Sequence, residues 1–219
     1  MDDKNIRDQG GFYDSSKTDR IYLKSVWENI KPFVKGRILD IGGNDGSLLD
    51  FYKTKNKKYI LDITKLALKK AKRRGYKTYF CDMHKLPFKD SFFDTVLLIN
   101  TFEHSHNPFG LLKGIKRVLK PNGVVIIDVP NARSVRQIYN LVFHGDPLPS
   151  GNSILFSKNP NHFFHYTSNL LCSVLKLSGF EKVKLFGKPP VKQPFNGLFR
   201  MMPGLSSMFA TDIIAVSSK

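Results

Sequence analysis

Between Arg37 and Val129 the chain alternates short apolar runs with stretches whose apolar residues recur every three or four positions. The runs Arg37–Ile41, Lys58–Asp62, Lys77–Cys81, Asp94–Ile99 and Val124–Val129 are rich in β-branched and aromatic residues and each ends at a turn signal, as strands do. Ser47–Tyr52, Lys65–Arg74 and Phe109–Leu119 carry the helical period. In the last of these, Leu111, Leu112, Ile115, Val118 and Leu119 form one stripe, and Pro121-Asn122-Gly123 marks its end. Upstream, Ile21–Val34 predicts a helix that lays Ile21, Val26, Trp27 and Ile30 on the first strand. Downstream, Asn131–Thr167 reads as irregular, with Pro147, Pro149, Gly151 and Pro160 and a group of aromatics (Phe156, Phe163, Phe164, Tyr166). A helix over Asn169–Leu177, a strand over Glu181–Phe186, a second irregular stretch over Gly187–Phe209 and a strand over Asp212–Val216 complete the pattern. Strands alternating with helices at this spacing imply right-handed crossovers and an α/β, doubly wound, mostly parallel sheet with helices on both faces.

Length changes this picture little: 219 residues suit one domain, 1–219. Within it we expect an N-terminal helical segment (1–36), a ligand-binding core (37–130) and two covers (131–168 and 187–209). No apolar run is long enough to span a membrane, and the polar N-terminus has no apolar segment of a secretory signal. Cys81 and Cys172 stand far apart without a CxxC spacing, so a cytoplasmic location is expected. Charge matters more. The formal net charge is +17, and eleven Lys/Arg against the single acid Asp62 fall between Lys53 and Lys77. Such a cluster attracts polyanions. Against that, 26 lysines outnumber 9 arginines, whose rigid fork suits base and phosphate recognition better. Helical spacing opposite Leu66, Ala67 and Ala71 also makes a solvated outer face, so a nucleic-acid partner is the less favoured reading.

The strongest chemical signal is the turn after the first strand, where Ile41 is followed by Gly42, Gly43 and Gly46 and a helix is expected to begin at Ser47. Glycines there let a ligand approach the backbone, and a helix start offers unpaired N–H groups. Ligands of open parallel sheets sit at the carboxyl ends of the strands. No register supplies G-x-G-x-x-G, and there is no GxxxxGK(S/T), so a nicotinamide enzyme and a phosphate loop are disfavoured. Asp40, at the strand's end, would repel a pyrophosphate and suit a cationic ligand group.

The segment LDIGGNDG, Leu39 to Gly46, resembles the D-x-G-x-G-x-G turn of the class I S-adenosylmethionine-dependent methyltransferases. Asn44 stands where that family has its middle glycine, a substitution compatible with a positive φ, which Asn adopts more readily than most residues. Further matches follow in order: YILDIT with Asp62, CDMHKLPF with Asp82, and the stretch from Phe93 through the Glu-His pair to Asn131. The tail HFFHYTSNLLCSVLKLSGFEKVKL is similar to the helix and sixth strand of the subgroup with small-molecule and quinone-biosynthesis enzymes. The resemblance implies a Rossmann-like, seven-stranded, mostly parallel sheet with an antiparallel C-terminal strand. It also implies S-adenosyl-L-methionine as cofactor and S-adenosyl-L-homocysteine as product. It assigns cofactor binding to Asp40, Gly42, Gly43, Asn44, Gly46, Asp62, Ile63, Asp82, Met83, Asn100 and Thr101, with Asp62 on the ribose and Asp82 with Met83 at the adenine. Each has a plainer alternative: Asp40 and Asp82 as turn caps, Asp62 as the cap of the helix at Thr64, Asn100 and Thr101 as strand-end hydrogen bonders.

The implied reaction is methyl transfer by in-line displacement to a small or medium acceptor, aromatic or hydrophobic given the character of the covers. Because the cofactor carries its own leaving group, the protein mainly aligns the reactants and excludes water. His104 and Glu103, just after the fourth strand, are the candidates for a base, with shaping of the loop as the alternative. Glu103, His104 and His106 also form a short cluster of ligand-type residues, too thin on its own to imply a metal, and none is expected. His162 and His165 are candidate liners of the acceptor site. Asn100-Thr101-Phe102-Glu103 lacks the paired prolines of enzymes that methylate exocyclic base amines, and neither cysteine follows a proline as cytosine-C5 enzymes require. Competing readings are a non-catalytic cofactor- or RNA-binding module, and an enzyme acting on RNA or protein docked through the basic cluster.

Overall fold

The computed structural model describes residues 17–145, 162–188 and 210–219. In chain order they form α1 (Lys17–Ile30), β1 (Ile38–Ile41), a 3-10 turn (Ser47–Phe51), β2 (Lys58–Asp62), α2 (Lys65–Arg73), β3 (Lys77–Phe80) and β4 (Phe93–Ile99). A second 3-10 turn (Phe102–His104), α3 (Pro108–Val118), β5 (Leu119–Pro130), α4 (Val135–His144), α5 (Ser168–Leu177), β6 (Glu181–Lys188) and β7 (Asp212–Ser218) follow. The seven strands make one sheet in the order β3-β2-β1-β4-β5-β7-β6. β1 to β5 pair in parallel, and β7 runs antiparallel to both of its neighbours. This is the Rossmann-like sheet expected from the sequence.

The two-residue period of the strands explains why helices cover both faces. Leu39 and Ile41, Val96 and Leu98, and Val125, Ile127 and Val129 enter one core with Leu111, Leu112 and Ile115 of α3 and Leu171 and Leu175 of α5. Ile38, Leu97 and Ile126 face the other way, onto Val26, Trp27 and Ile30 of α1, Leu48 and Leu49, and Leu68 and Ala71 of α2. Each such side chain contributes about 1.5–3 kcal/mol on burial.

The expected strands and helices are present, apart from the helix expected at Ser47. Most lie within two or three residues of their predicted limits; α1 is shifted by four residues and β5 starts five residues early. Four details differ. Ile21 is half exposed, so α1 is anchored by Val26, Trp27 and Ile30 alone. On α2 it is Leu68, not Leu66, that joins Ala67 and Ala71 in the core; Leu66 is exposed. The stretch after Asn131 is not wholly irregular, since α4 occupies Val135–His144, capped by Ser134 and ended by Gly145 at φ 69°. And β5 begins at Leu119, passing through Pro121-Asn122-Gly123 with Asn122 at φ 60°. Pro147, Pro149, Gly151, Phe156, Pro160 and nearly all of the 187–209 cover lie outside the described residues. Among the described residues no helix is long and apolar enough to cross a membrane.

Candidate functional site

β1 and β4 are neighbours whose crossovers run to opposite faces, which opens a cleft above their carboxyl ends. Asp40 projects toward it from β1. It is buried, and its Oδ2 has no hydrogen-bond partner. Burial, and then the nearby charge of Asp62, push the Asp40 carboxyl up to about 8. The glycine turn closes over this group: a Cβ on Gly43 would lie 2.8 Å from Asp40 Cγ, and one on Gly42, at φ 71°, would lie 2.4 Å from Thr101 Oγ1. Only glycine fits either position without displacing a neighbour. Asn44 takes φ 48°, the positive value that its place in the turn calls for. Its N–H donates to Asp62 Oδ2 at 3.0 Å, while Asp62 Oδ1 accepts from Thr64 N at 2.8 Å. The carboxylate of Asp62 thus caps the entry to α2 and ties β2 to the turn. Ile63 beside it is exposed.

The expected helix from Ser47 to Tyr52 is a single 3-10 turn, Ser47–Phe51. Lys53–Lys57 brings no apolar residue to extend its buried face. A helix dipole therefore contributes little here, and Ser47 N is already occupied by Asp45 Oδ1 at 3.0 Å. Arg74 reaches across to Asp45 at 2.8 Å and also pairs with Asp50, so this member of the basic cluster braces the turn.

Asp82 follows β3, next to the end of β2 through Cys81 N to Asp62 O at 3.2 Å. Its Oδ1 accepts from His84 N at 2.7 Å and sits 2.8 Å from His84 Nδ1. Partial burial would raise its pKa, but these bonds outweigh it and hold the carboxyl below its usual range. Asp82 is thus a turn cap in a half-exposed position on the same rim, and half-buried Met83 lies next to it. His84 Nε2 lies 2.9 Å from Ser105 Oγ, and its ring meets that of His106 at 4.0 Å. On the other side, Asn100 at φ 48° donates through Nδ2 to Tyr22 of α1 at 2.6 Å, and Thr101 is buried with its hydroxyl on Ile99 O.

Beyond Thr101 lies a second group. Glu103 is buried, its Oε2 has no partner, and burial raises its carboxyl to about 8, with Asp128 and Asp212 adding to the effect. Phe163 N donates to Glu103 O at 2.8 Å, which brings the 162–166 segment alongside. The rings of His104 and His162 meet edge to face at 4.7 Å. Burial, together with His104 and His165, lowers His162 to about 4. His106 is drawn away to His84, so the ligand-type cluster is Glu103, His104 and His162, not the local triplet with His106. Sequence reading also missed Tyr22 and His84, whose roles depend on contacts across 78 and 21 residues.

The strand order and helix layers are those of the Rossmann-like fold seen in solved methyltransferases. Residues 39–127 match the family model described as a methyltransferase domain. That segment, which runs from β1 into β5 and carries the cleft, is similar to methyltransferase domains. A SAM-dependent methyltransferase of Thermotoga maritima superposes with a TM-score of 0.68 at 22% identity, over 91% of this chain and 90% of that one. An uncharacterized protein of Methanocaldococcus jannaschii, MJ1123, is 36% identical over 128 residues, 58% of this chain and 60% of its own. The tRNA U34 carboxymethyltransferase of Nautilia profundicola is 26% identical over 180 residues, 77% of this chain and 56% of its own. The chain thus spans less than two thirds of the length of these two relatives. The residues present fit the cofactor expected from the sequence, S-adenosyl-L-methionine: a buried carboxylate oxygen has no donor, and a cradle stands where any Cβ would intrude.

Proposed function

We propose that this protein transfers a methyl group from S-adenosyl-L-methionine to a small or medium-sized acceptor with hydrophobic or ring character. The carrying observation is the partnerless Oδ2 of Asp40 beneath the Gly42-Gly43 turn. A ligand ammonium there would satisfy the carboxylate, whereas a pyrophosphate would be repelled. Asp62 would receive the ribose hydroxyls on the lone pairs left beside its two backbone bonds, with Ile63 as an apolar shelf. Asp82 and Met83 would frame the adenine, and Gly46, Asn44, Asn100 and Thr101 would shape the floor and the reacting end. The bound cofactor supplies a methyl group on a good leaving group, and the chain's own part is to orient the acceptor and keep water out.

His104 is the better candidate base, because burial keeps Glu103 largely protonated at neutral pH in this setting. An apolar acceptor is supported by the exposed Val135, Ile138, Leu141, Val142 and Phe143 of α4, and by exposed Phe163 and Phe164, all following the carboxyl end of the sheet. Calorimetry with S-adenosylhomocysteine, followed by label transfer to phenols, quinols and lipid-linked precursors, tests this reading. Labelling of polar acceptors alone would contradict it.

RNA as acceptor is the second reading. It is supported by the name of the Nautilia relative and by exposed Phe80, which carries Lys65 Nζ 4.9 Å from its ring centre beside Lys69 and Lys72. A salt-dependent gel shift accompanied by RNA labelling would select it.

A further inference from the structure

We propose that Glu103, His104 and His162 form a binding site for a divalent transition-metal ion at the acceptor end of the cleft. One ligand atom from each residue lies within 4.8 Å of the other two. Around an ion with bonds of about 2.1 Å, donor atoms stand roughly 3.4 Å apart, so side-chain rotations of about 1 Å close the set. The backbone already holds the pieces together: Phe163 N and Phe164 N both donate to Glu103 O, at 2.8 and 3.4 Å. His162 therefore stays beside Glu103 whatever its own side chain does.

A second observation points to a ligand. Glu103 is 1% exposed, and its Oε2 has no hydrogen-bond partner. A carboxylate oxygen buried without a donor is costly, and a cation at the His104–His162 pair would satisfy it. The electrostatic surroundings agree, since Asp128 and Asp212 bear on Glu103. Two imidazole nitrogens and one carboxylate oxygen suit zinc, cobalt(II) or iron(II); magnesium and calcium prefer all-oxygen shells. Three protein ligands leave a position open. With the ion bound, Glu103 gives up its proton and His104 serves as a ligand in place of a base. Resting on the methyl-transfer reading, the open position would take an oxygen of the acceptor and hold it toward the cofactor, while metal binding itself does not depend on that reading.

The full chain, stripped with a chelator, should bind one equivalent of Co2+ with a visible ligand-field spectrum, and Zn2+ should displace it. His162→Ala and Glu103→Gln should each weaken binding about tenfold or more, while His106→Ala, on the ring pair with His84, should leave it unchanged. S-adenosylhomocysteine calorimetry on every variant reports whether the cofactor cleft is folded, separately from the metal. If His162→Ala fails that control, Glu103→Gln carries the test. Absence of saturable cobalt binding by the wild-type chain would overturn the proposal, as would undiminished binding by a folded His162→Ala or Glu103→Gln protein.

Discussion

Replacing Asp40 by asparagine separates the electrostatic role of this buried acid from its shape. Its carboxyl is raised from 3.8 to about 8, chiefly by burial and secondarily by Asp62. The folded chain then holds a proton that the unfolded chain releases above about pH 4. The group therefore costs nothing below pH 4, and stability falls steadily as pH rises toward 8. At about 1.36 kcal/mol per pH unit, the ceiling on that loss is about 6 kcal/mol over the whole range, of which about 4 kcal/mol falls between pH 5 and 8. For a chain of this size the part between pH 5 and 8 corresponds to a fall in Tm of about 10 °C. Asp40→Asn removes the titration, so its Tm profile over that range should be flatter than that of the wild-type protein. S-adenosylhomocysteine reverses the sense of the effect, because its ammonium favours the ionised carboxylate. Its affinity for the wild-type protein should improve up to about tenfold per unit between pH 5 and 8, and its affinity for Asp40→Asn should be weak and nearly flat. Scanning calorimetry and titration calorimetry at four pH values read both slopes. Parallel profiles for the two proteins would refute the reasoning.

Three further outcomes follow from the same geometry. Gly43→Ala would set a methyl group 2.8 Å from Asp40 Cγ, so it should lose S-adenosylhomocysteine binding and about 1–3 kcal/mol of stability, read by calorimetry and urea unfolding. Asp62→Ala should weaken the same ligand by at least about tenfold and cost about 0.5–2 kcal/mol through the freed Thr64 N–H, whereas Asp62→Asn should recover part of the stability without the affinity. Asp94 anchors Arg37 N at 2.8 Å and Lys120 Nζ at 2.8 Å; partial burial raises its pKa, but these bonds outweigh it and hold the carboxyl below its usual value. Its stabilisation is present above about pH 4 and is lost as pH falls further. Asp94→Asn should therefore unfold about 1–2 kcal/mol more easily at pH 7, with the gap closing near pH 3 in a denaturant series.

The strands and the α2 and α3 helices were legible because their signals are local. Leu39, Ile41, Val96 and Leu98 alternate with Ile38 and Leu97 as the two cores demand. α4 was missed because the Pro and Gly of the following segment dominated the reading, although Arg136, Gln137 and Asn140 set a polar face against Val135, Ile138, Leu141 and Val142. Its caps were there to be read, with Ser134 accepting from Gln137 N and Gly145 closing the last turn. Position 47 misled in the opposite direction, since a glycine turn leading into Ser47-Leu48-Leu49 promises a helix that stops after five residues. The rim of Asp40, Asp62 and Asp82 was legible because each acid stands at or just past the carboxyl end of a strand. The Glu103–His104–His162 group was not, because it is assembled by a backbone bond from Phe163 to Glu103 across 60 residues, and no spacing rule reaches that far.

The order of strands in the sheet sets a timetable for the emerging chain. Among the described residues β6 hydrogen-bonds as a strand to β7 alone, although β7 comes later in the chain. On the ribosome, the wedge from β1 to β5 can close with α2 and α3 as soon as it clears the exit tunnel. Leu171 and Leu175 of α5 can then settle on that wedge, while β6 waits as an unpaired edge until Asp212–Ser218 slots in antiparallel beside β5. That interval, when a sticky strand has no neighbour, is when a nascent chain of this design is most exposed to pairing with the wrong partner.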